Sequence, residues 1–181
     1  MRILAGKFKY KRINYKKDDK LRPTRNVVRK SFFDTVAPMV RESVFLDLFA
    51  GSGTMGLEAL SRGAKRAIFV DRAKRSIDII KRNVSESGCE GSALVIKDDA
   101  YNFAKSDLLK SVDLVYVDAP YEFEIEIFLD EFFKYVNPLA VVCVEHERSR
   151  IMPDRFGRFV KFKVRNFGKS TLSYFGVPED E

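Results

Sequence analysis

One histidine and two cysteines in 181 residues leave little material for several chemistries. His146 has no partner at metal-ligand spacing, so it reads as a structural or rim residue and no metal is expected. Cys89 and Cys143 lie far apart and neither belongs to a CxxC pair. Cys143 sits in the apolar run "LAVVCVEHE", which points to a reduced core thiol in a cytoplasmic protein. No apolar run approaches the length of a membrane span, and "MRILAGKFKY" has no signal-peptide core, so no membrane partner is expected. Repeats and low-complexity tracts are absent too. What is present is 45% hydrophobic sequence with 16 Phe, enough for the core of one domain of ordinary size with at most a small appendage.

Charge is unevenly distributed. Residues 1–30 carry 12 Lys/Arg against two acids, and residues 148–169 carry eight against one. The stretch between, 31–147, has 13 basic and 20 acidic residues. An acidic middle flanked by basic ends suits a small-molecule site with nucleic-acid-binding edges, although a solvated Lys/Arg surface would look similar. Phe8, Tyr10 and Tyr15 interleave the first cations and favour nucleic acid.

Residues 1–20 read as a short hairpin or arm with a loop at 16–20. "LRPT" leads into a helix from near Thr24, with Val28, Phe32 and Val36 on one face and Pro38 after its end. From Val44 onward strands and helices alternate. The strands are "SVFLDLFAG", "RAIFVD", "SALVIKDD", "VDLVYVD" and "LAVVCVE". Between them lie "TMGLEALSRG", "AKRSIDIIKRNVSESG" and residues 124–136, each with apolar residues at helical spacing. The tail alternates on both sides of Phe167-Gly168-Lys169 and predicts a hairpin. Nearly continuous apolar strands joined by helices predict a mostly parallel α/β sheet covered on both faces. Two parts follow, an arm and helix over 1–43 and the sheet domain over 44–181.

Such sheets bind ligands at the carboxyl ends of their strands. The first strand ends in "DLFAGSGTMG", where Gly51, Gly53 and Gly56 satisfy GxGxxG ahead of a helix. Asp71 ends the second strand 20 residues after Gly51, suitably placed to take ribose hydroxyls. Asp98 or Asp99, after the third strand, could reach an adenine edge or simply cap the next helix. Gly51 and Asp71 would fit NAD equally well.

The fourth strand ends in "DAPY", Asp118 to Tyr121, which hydride transfer does not require and methylation of an exocyclic amino group does. The lone pair of such a nitrogen is delocalised into its base. Asp118 and the Ala119 carbonyl could accept its N–H protons, Pro120 would stiffen the turn, and Tyr121 would stack on the ring.

"FLDLFAGSGTMGLEALSRGAKRAIFVDRA" with "VDLVYVDAPYEF" resembles the class I S-adenosylmethionine-dependent methyltransferases that carry a D/N-P-P-Y/F motif. The fuller match, including "RILAGKFKYKRI", "LRPTRNVVRKSFFDTV" and "VCVEHE", is to the RsmD type, bacterial guanine-N2 methyltransferases of 16S ribosomal RNA. The resemblance implies a Rossmann-like, mostly parallel seven-stranded sheet with helices on both faces and a C-terminal antiparallel hairpin. It implies that Asp47, Ala50, Gly51, Gly53 and Thr54 hold the methionine part of S-adenosylmethionine. Asp71, with Arg72 beside it, would hold the ribose, and Asp99 with Ala100 the adenine. Asp118, Ala119, Pro120 and Tyr121 would form the catalytic motif, although the family usually has Pro where this chain has Ala119. Lys7, Lys9, Arg12, Arg22, Pro23, Thr24 and Arg25 would lie along 16S rRNA or a small-subunit assembly particle, and a monomer is expected. Adenine-N6 methylation uses the same motif. A non-catalytic rRNA-binding assembly factor would explain the basic ends, but not the strand ends.

Overall fold

The computed structural model describes residues 1–15 and 23–178, with side chains from Asn26 onward in the second stretch. The loop expected at 16–20 and the RNA contact expected at Arg22 lie outside the described residues. So do the side chains of Pro23, Thr24 and Arg25.

The chain order is α1 (Pro23–Val40), β1 (Val44–Leu48), α2 (Thr54–Ser61), β2 (Arg66–Asp71), α3 (Lys74–Ser87), β3 (Ala93–Lys97), α4 (Ala100–Phe103), β4 (Leu114–Val117), α5 (Ile125–Phe132), β5 (Val141–Glu147), β6 (Arg155–Phe156), β7 (Phe159–Phe167) and β8 (Ser170–Gly176). The strands form one sheet in the order β3-β2-β1-β4-β5-β8-β7-β6. Strands β1 to β5 are mutually parallel, whereas β8, β7 and β6 join antiparallel at one edge. The order reverses at β1/β4, leaving the crevice expected at the strand ends of a doubly wound sheet.

Alternation along the strands sorts the core into two layers. Phe45, Phe69, Tyr116, Cys143 and Tyr174 face α1, α2 and α3. Leu46, Val70, Val117, Val144 and Phe175 face α4 and α5. The residues spaced for helix faces are all buried: Val28, Phe32 and Val36; Ile77, Ile80 and Val84; Ile125, Phe128, Leu129, Phe132 and Val136.

Three features depart from the sequence-based expectation. The sheet has eight strands, not seven, because two-residue β6 pairs with β7 and drops Phe156 between Phe133 and Phe175. Two residues are too few to show a period. Pro38 lies inside the last turn of α1 rather than beyond it. Proline removes one donor but does not prevent the following residues from completing the turn. The arm, finally, pairs with itself through a single bridge, Arg2 to Arg12. Ile3 N–H also donates to the Lys11 carbonyl, Tyr10 N–H to that of Ile3 and Ile13 N–H to that of Met1, and further backbone groups are held by distant elements. Leu4 and Ala5 N–H donate to the Glu58 carboxylate, Phe8 N–H to Ser61 Oγ, and Asn14 N–H to Asn83. Ile3 and Ile13 are buried in the same core layer as Phe32 and Leu57.

Candidate active site at the strand ends

The glycine loop is built by two aspartates on neighbouring strands. Asp47 is almost fully buried on β1, and its Oδ2 accepts the Gly56 N–H at 2.9 Å. Asp71 ends β2; its Oδ2 accepts the Gly51 N–H at 2.9 Å and its Oδ1 the Ala73 N–H at 2.8 Å. Gly53 takes φ +75° at the entry to α2, a left-handed conformation that favours glycine. At Gly56 the constraint is space, since a Cβ there would meet the Phe69 ring at 2.3 Å. The ring is thereby pressed against α2, which brings the helix N-terminus over the strand ends.

A cavity of about 630 Å³ opens between this loop and the end of β4. Asp47, Ala50, Gly51 and Thr54 line one side, and Asp118, Ala119, Pro120 and Tyr121 the other. Two motifs about 70 residues apart in sequence thus meet across one space. Tyr121 is 65% exposed at the rim, with its carbonyl held by Arg150 Nη2 at 3.2 Å. Asp71, Arg72, Asp99 and Ala100 are not in the wall. Arg72 is exposed, Asp99 caps α4 by accepting the Tyr101 N–H, and Ala100 is buried in the opposite core layer. Lys7, Lys9 and Arg12 are exposed on the arm, with Lys9 Nζ 4.9 Å from the Tyr10 ring centre. Met1, where the arm begins, reaches the cavity and its sulfur lies 3.4 Å from Thr54 Oγ1.

The cavity also contains residues that the sequence did not single out as site residues. Glu145 lies on β5, and its Oε2 accepts the Tyr116 hydroxyl at 2.5 Å. Arg29 is almost fully buried on α1, donates to the Arg2 carbonyl at 2.6 Å, and lies 3.7 Å from Glu58. "VCVEHE" contains Glu145, but one acid at a strand end carries no periodic signal. A buried arginine inside an apolar helix face has none either. His146, also in the wall, is satisfied structurally: Nδ1–H donates to the Glu147 carbonyl, and Nε2 accepts from Ser173 Oγ. Burial lowers its pKa and keeps the ring neutral near pH 7.

At the floor, the charges that act on Asp47 are those of the acids Asp118 and Asp71. Burial raises the Asp47 pKa to about 8, against the pull of the Gly56 N–H, and the charges of Asp118 and Asp71 push it further up. A buried acid in that state is suited to a cationic ligand, whose charge would restore the carboxylate. Among the described residues no cluster of three His, Cys, Asp or Glu could hold a metal ion. No described helix is long and apolar enough to cross a membrane.

Sheet order, antiparallel edge and strand-end cavity together define the Rossmann-like fold of class I methyltransferases. The solved "Putative methyltransferase yhhF from Escherichia coli" superposes with a TM-score of 0.85 and 26% identity, covering 97% of this chain and 96% of that one. Residues 1–176 match the family described as "Conserved hypothetical protein 95", the RsmD family, and the chain belongs to it. Two relatives are each named "Ribosomal RNA small subunit methyltransferase D". That of Haemophilus influenzae is 32% identical over 155 residues, 83% of this chain and 80% of its own. That of Buchnera aphidicola subsp. Acyrthosiphon pisum is 28% identical over 169 residues, 91% of this chain and 87% of its own.

Proposed function

We propose that this chain is a ribosomal RNA methyltransferase that uses S-adenosylmethionine and modifies the exocyclic N2 of a guanine in 16S rRNA. The relatives' names support the rRNA methyltransferase activity. One observation carries the site assignment: Asp47 and the glycine loop share a single cavity with Asp118–Tyr121. Asp47, Ala50, Gly51, Gly53 and Thr54 would hold the methionine part, with Asp71 and Arg72 toward the ribose and Asp99 and Ala100 toward the adenine. The acidic floor suits this cofactor because both its sulfonium and its α-ammonium are positive. Bound there, the cofactor would supply an electrophilic methyl group.

The chain's own residues do the rest. Asp118 and the Ala119 carbonyl accept the two N–H protons of the amino group, so that its lone pair is freed from the ring and turned toward the methyl group. Pro120 follows directly and narrows the backbone freedom of the turn. Its carbonyl accepts the Phe123 N–H at 2.9 Å, which closes the loop behind the motif. Tyr121, exposed at the rim, stacks on a base turned out of its helix, which contributes about 1–3 kcal/mol. Much of the acceleration then comes from holding nitrogen and methyl in line. The exposed cations of the arm and of the basic stretch 148–169 bind the RNA backbone, and Met1 and Lys169 of those segments reach the cavity wall.

The test is methyl transfer from labelled S-adenosylmethionine to unmethylated small-subunit rRNA, naked and in partly assembled particles, with the product nucleoside identified by mass spectrometry. N2-methylguanosine is expected. N6-methyladenosine would overturn the target atom, and the absence of any product would overturn the function.

A further inference from the structure

We propose that Glu145 is the residue that reads the base. Its carboxylate accepts the N1–H of guanine while Asp118 accepts the neighbouring amino group, and it repels purines whose N1 is a bare acceptor. The inference rests on the guanine-N2 reading above.

The register places the two acids together. Strands β4 and β5 are parallel with Tyr116 opposite Cys143 and Val117 opposite Val144. Extended one step past the end of β4, the same register would set Asp118 beside Glu145, with neighbouring strands about 4.8 Å apart. Alternation then gives both the same face, since Asp118 follows Tyr116 by two residues and Glu145 follows Cys143 by two, and Tyr116 and Cys143 share one core layer. Both acids line the cavity.

Tyr116 fixes the Glu145 carboxylate. Its ring is buried edge-on against Phe32, with centres 5.0 Å apart, and its hydroxyl donates to Oε2. Burial, followed by the Glu145 charge, raises the phenol pKa well above its usual value, so the hydroxyl remains a donor. Among the described residues, Oε1 has no hydrogen-bond partner. A carboxylate only accepts, so a matching ligand edge must present donors at adjacent positions. Guanine does so with N1–H and the 2-amino group. Adenine presents one amino group beside an N1 lone pair, which would face the Glu145 charge. Arg29, the cavity's buried cation, donates through Nη2 to the Arg2 carbonyl and lies 3.7 Å from Glu58, while its Nε and Nη1 are buried without a hydrogen-bond partner among the described residues. A guanidinium only donates, so Arg29 cannot accept an N1–H and does not compete for this role.

The experiment uses 16S rRNA carrying either guanine or 2,6-diaminopurine at the methylated position. Both bases have the 2-amino group, but only guanine has N1–H. The wild type should prefer guanine by roughly ten- to a hundredfold in kcat/KM, the scale of one well-placed polar contact. Glu145→Gln should narrow that ratio at least about tenfold, because the amide can donate to a bare N1. Glu145→Ala should bring it near one with both substrates slow. Both variants should bind S-adenosylmethionine as the wild type does. A wild type indifferent to N1 overturns the proposal without any variant, and so does a ratio unchanged in both variants. A wild type that forms no N2-methylated product overturns the underlying guanine-N2 reading, a result distinct from an unchanged ratio on an active enzyme.

Discussion

Asp71 and Gly51, 20 residues apart in sequence, are joined by a 2.9 Å hydrogen bond from the Gly51 N–H to Asp71 Oδ2. The acid that ends β2 therefore holds the glycine loop in shape before any ligand arrives. Its other oxygen takes the Ala73 N–H at the start of α3. Asp71→Asn has one acceptor oxygen for these two donors. Losing one such bond should cost about 1–3 kcal/mol in denaturant unfolding. S-adenosylmethionine affinity should fall as well, because the loop and the proposed ribose contact both depend on this side chain. Calorimetric titration reads the affinity, and an unchanged value would show that Asp71 serves the loop alone.

Asp47 predicts a pH dependence with a definite sign. Its folded pKa is raised from an ordinary value of 3.8 to about 8. Between those values the native state holds a proton that the unfolded chain has released. The stability linked to this group is fully present below about pH 4 and is lost as pH rises toward 8. Asp47→Asn cannot ionise, yet its amide oxygen can still accept the Gly56 N–H. Without cofactor, the variant should show a flatter stability profile over this range and exceed the wild type at pH 8, as urea unfolding at several pH values would reveal. Cofactor binding should reverse the comparison. A cation seated on Asp47 drives its proton off, so binding near pH 7 should release a proton from the wild type and not from the variant, measured by calorimetry in buffers of different ionisation enthalpy.

The proposed catalytic motif should separate chemistry from folding. Asp118 is exposed at the end of β4, outside the packed core. Asp118→Ala should leave thermal stability and cofactor affinity close to the wild type and lower kcat by about 10²–10⁴, the usual contribution of a positioned proton acceptor. Ala119→Pro should remain active, because the carbonyl proposed to contribute is present with either residue. Loss of activity on restoring the proline would show that the turn requires alanine.

The sheet and the glycine loop were legible because each has a local signature. Ala67 to Val70 and Leu114 to Val117 are continuous apolar runs, and Gly53 and Gly56 stand where a left-handed turn and a close approach require them. The arm was not legible in the same way. The N–H groups of Leu4, Ala5 and Phe8 are taken by Glu58 and Ser61, more than 50 residues away, and nothing in residues 1–15 announces those partners. Glu145 and Arg29 were missed for the same reason, since cavity walls are made by strand register and helix docking. β6 has two residues and depends entirely on the neighbouring β7.

Glu58 is the point at which the arm is anchored. It is fully buried on α2, accepts from Leu4 N at 2.8 Å and Ala5 N at 3.0 Å, and pairs with Arg62 at 2.9 Å and Arg29 at 3.7 Å. Glu58→Ala would leave two arm donors and the buried Arg29 cation uncompensated, a loss of about 3–5 kcal/mol. Glu58→Gln keeps one acceptor and should lose less. Denaturant unfolding of both variants gives the order, and equal losses would show that charge contributes nothing at this position.

If the arm is an RNA contact, its role is electrostatic and must depend on salt. Lys7, Lys9 and Arg12 are exposed and make no ion pair among the described residues. Each cation that neutralises a phosphate releases a counterion, so affinity should fall linearly on a log–log plot against salt. Changing all three to Ala should lower that slope by about 2, at the single-strand value of about 0.7 per contact. Methyl transfer at saturating RNA should change little, because none of the three lines the cavity. Filter binding between 50 and 200 mM salt, about the range over which such contacts are lost, measures the slope directly. A slope equal to that of the wild type would mean that these side chains are solvated surface and that the RNA lies along the second basic stretch, 148–169, instead.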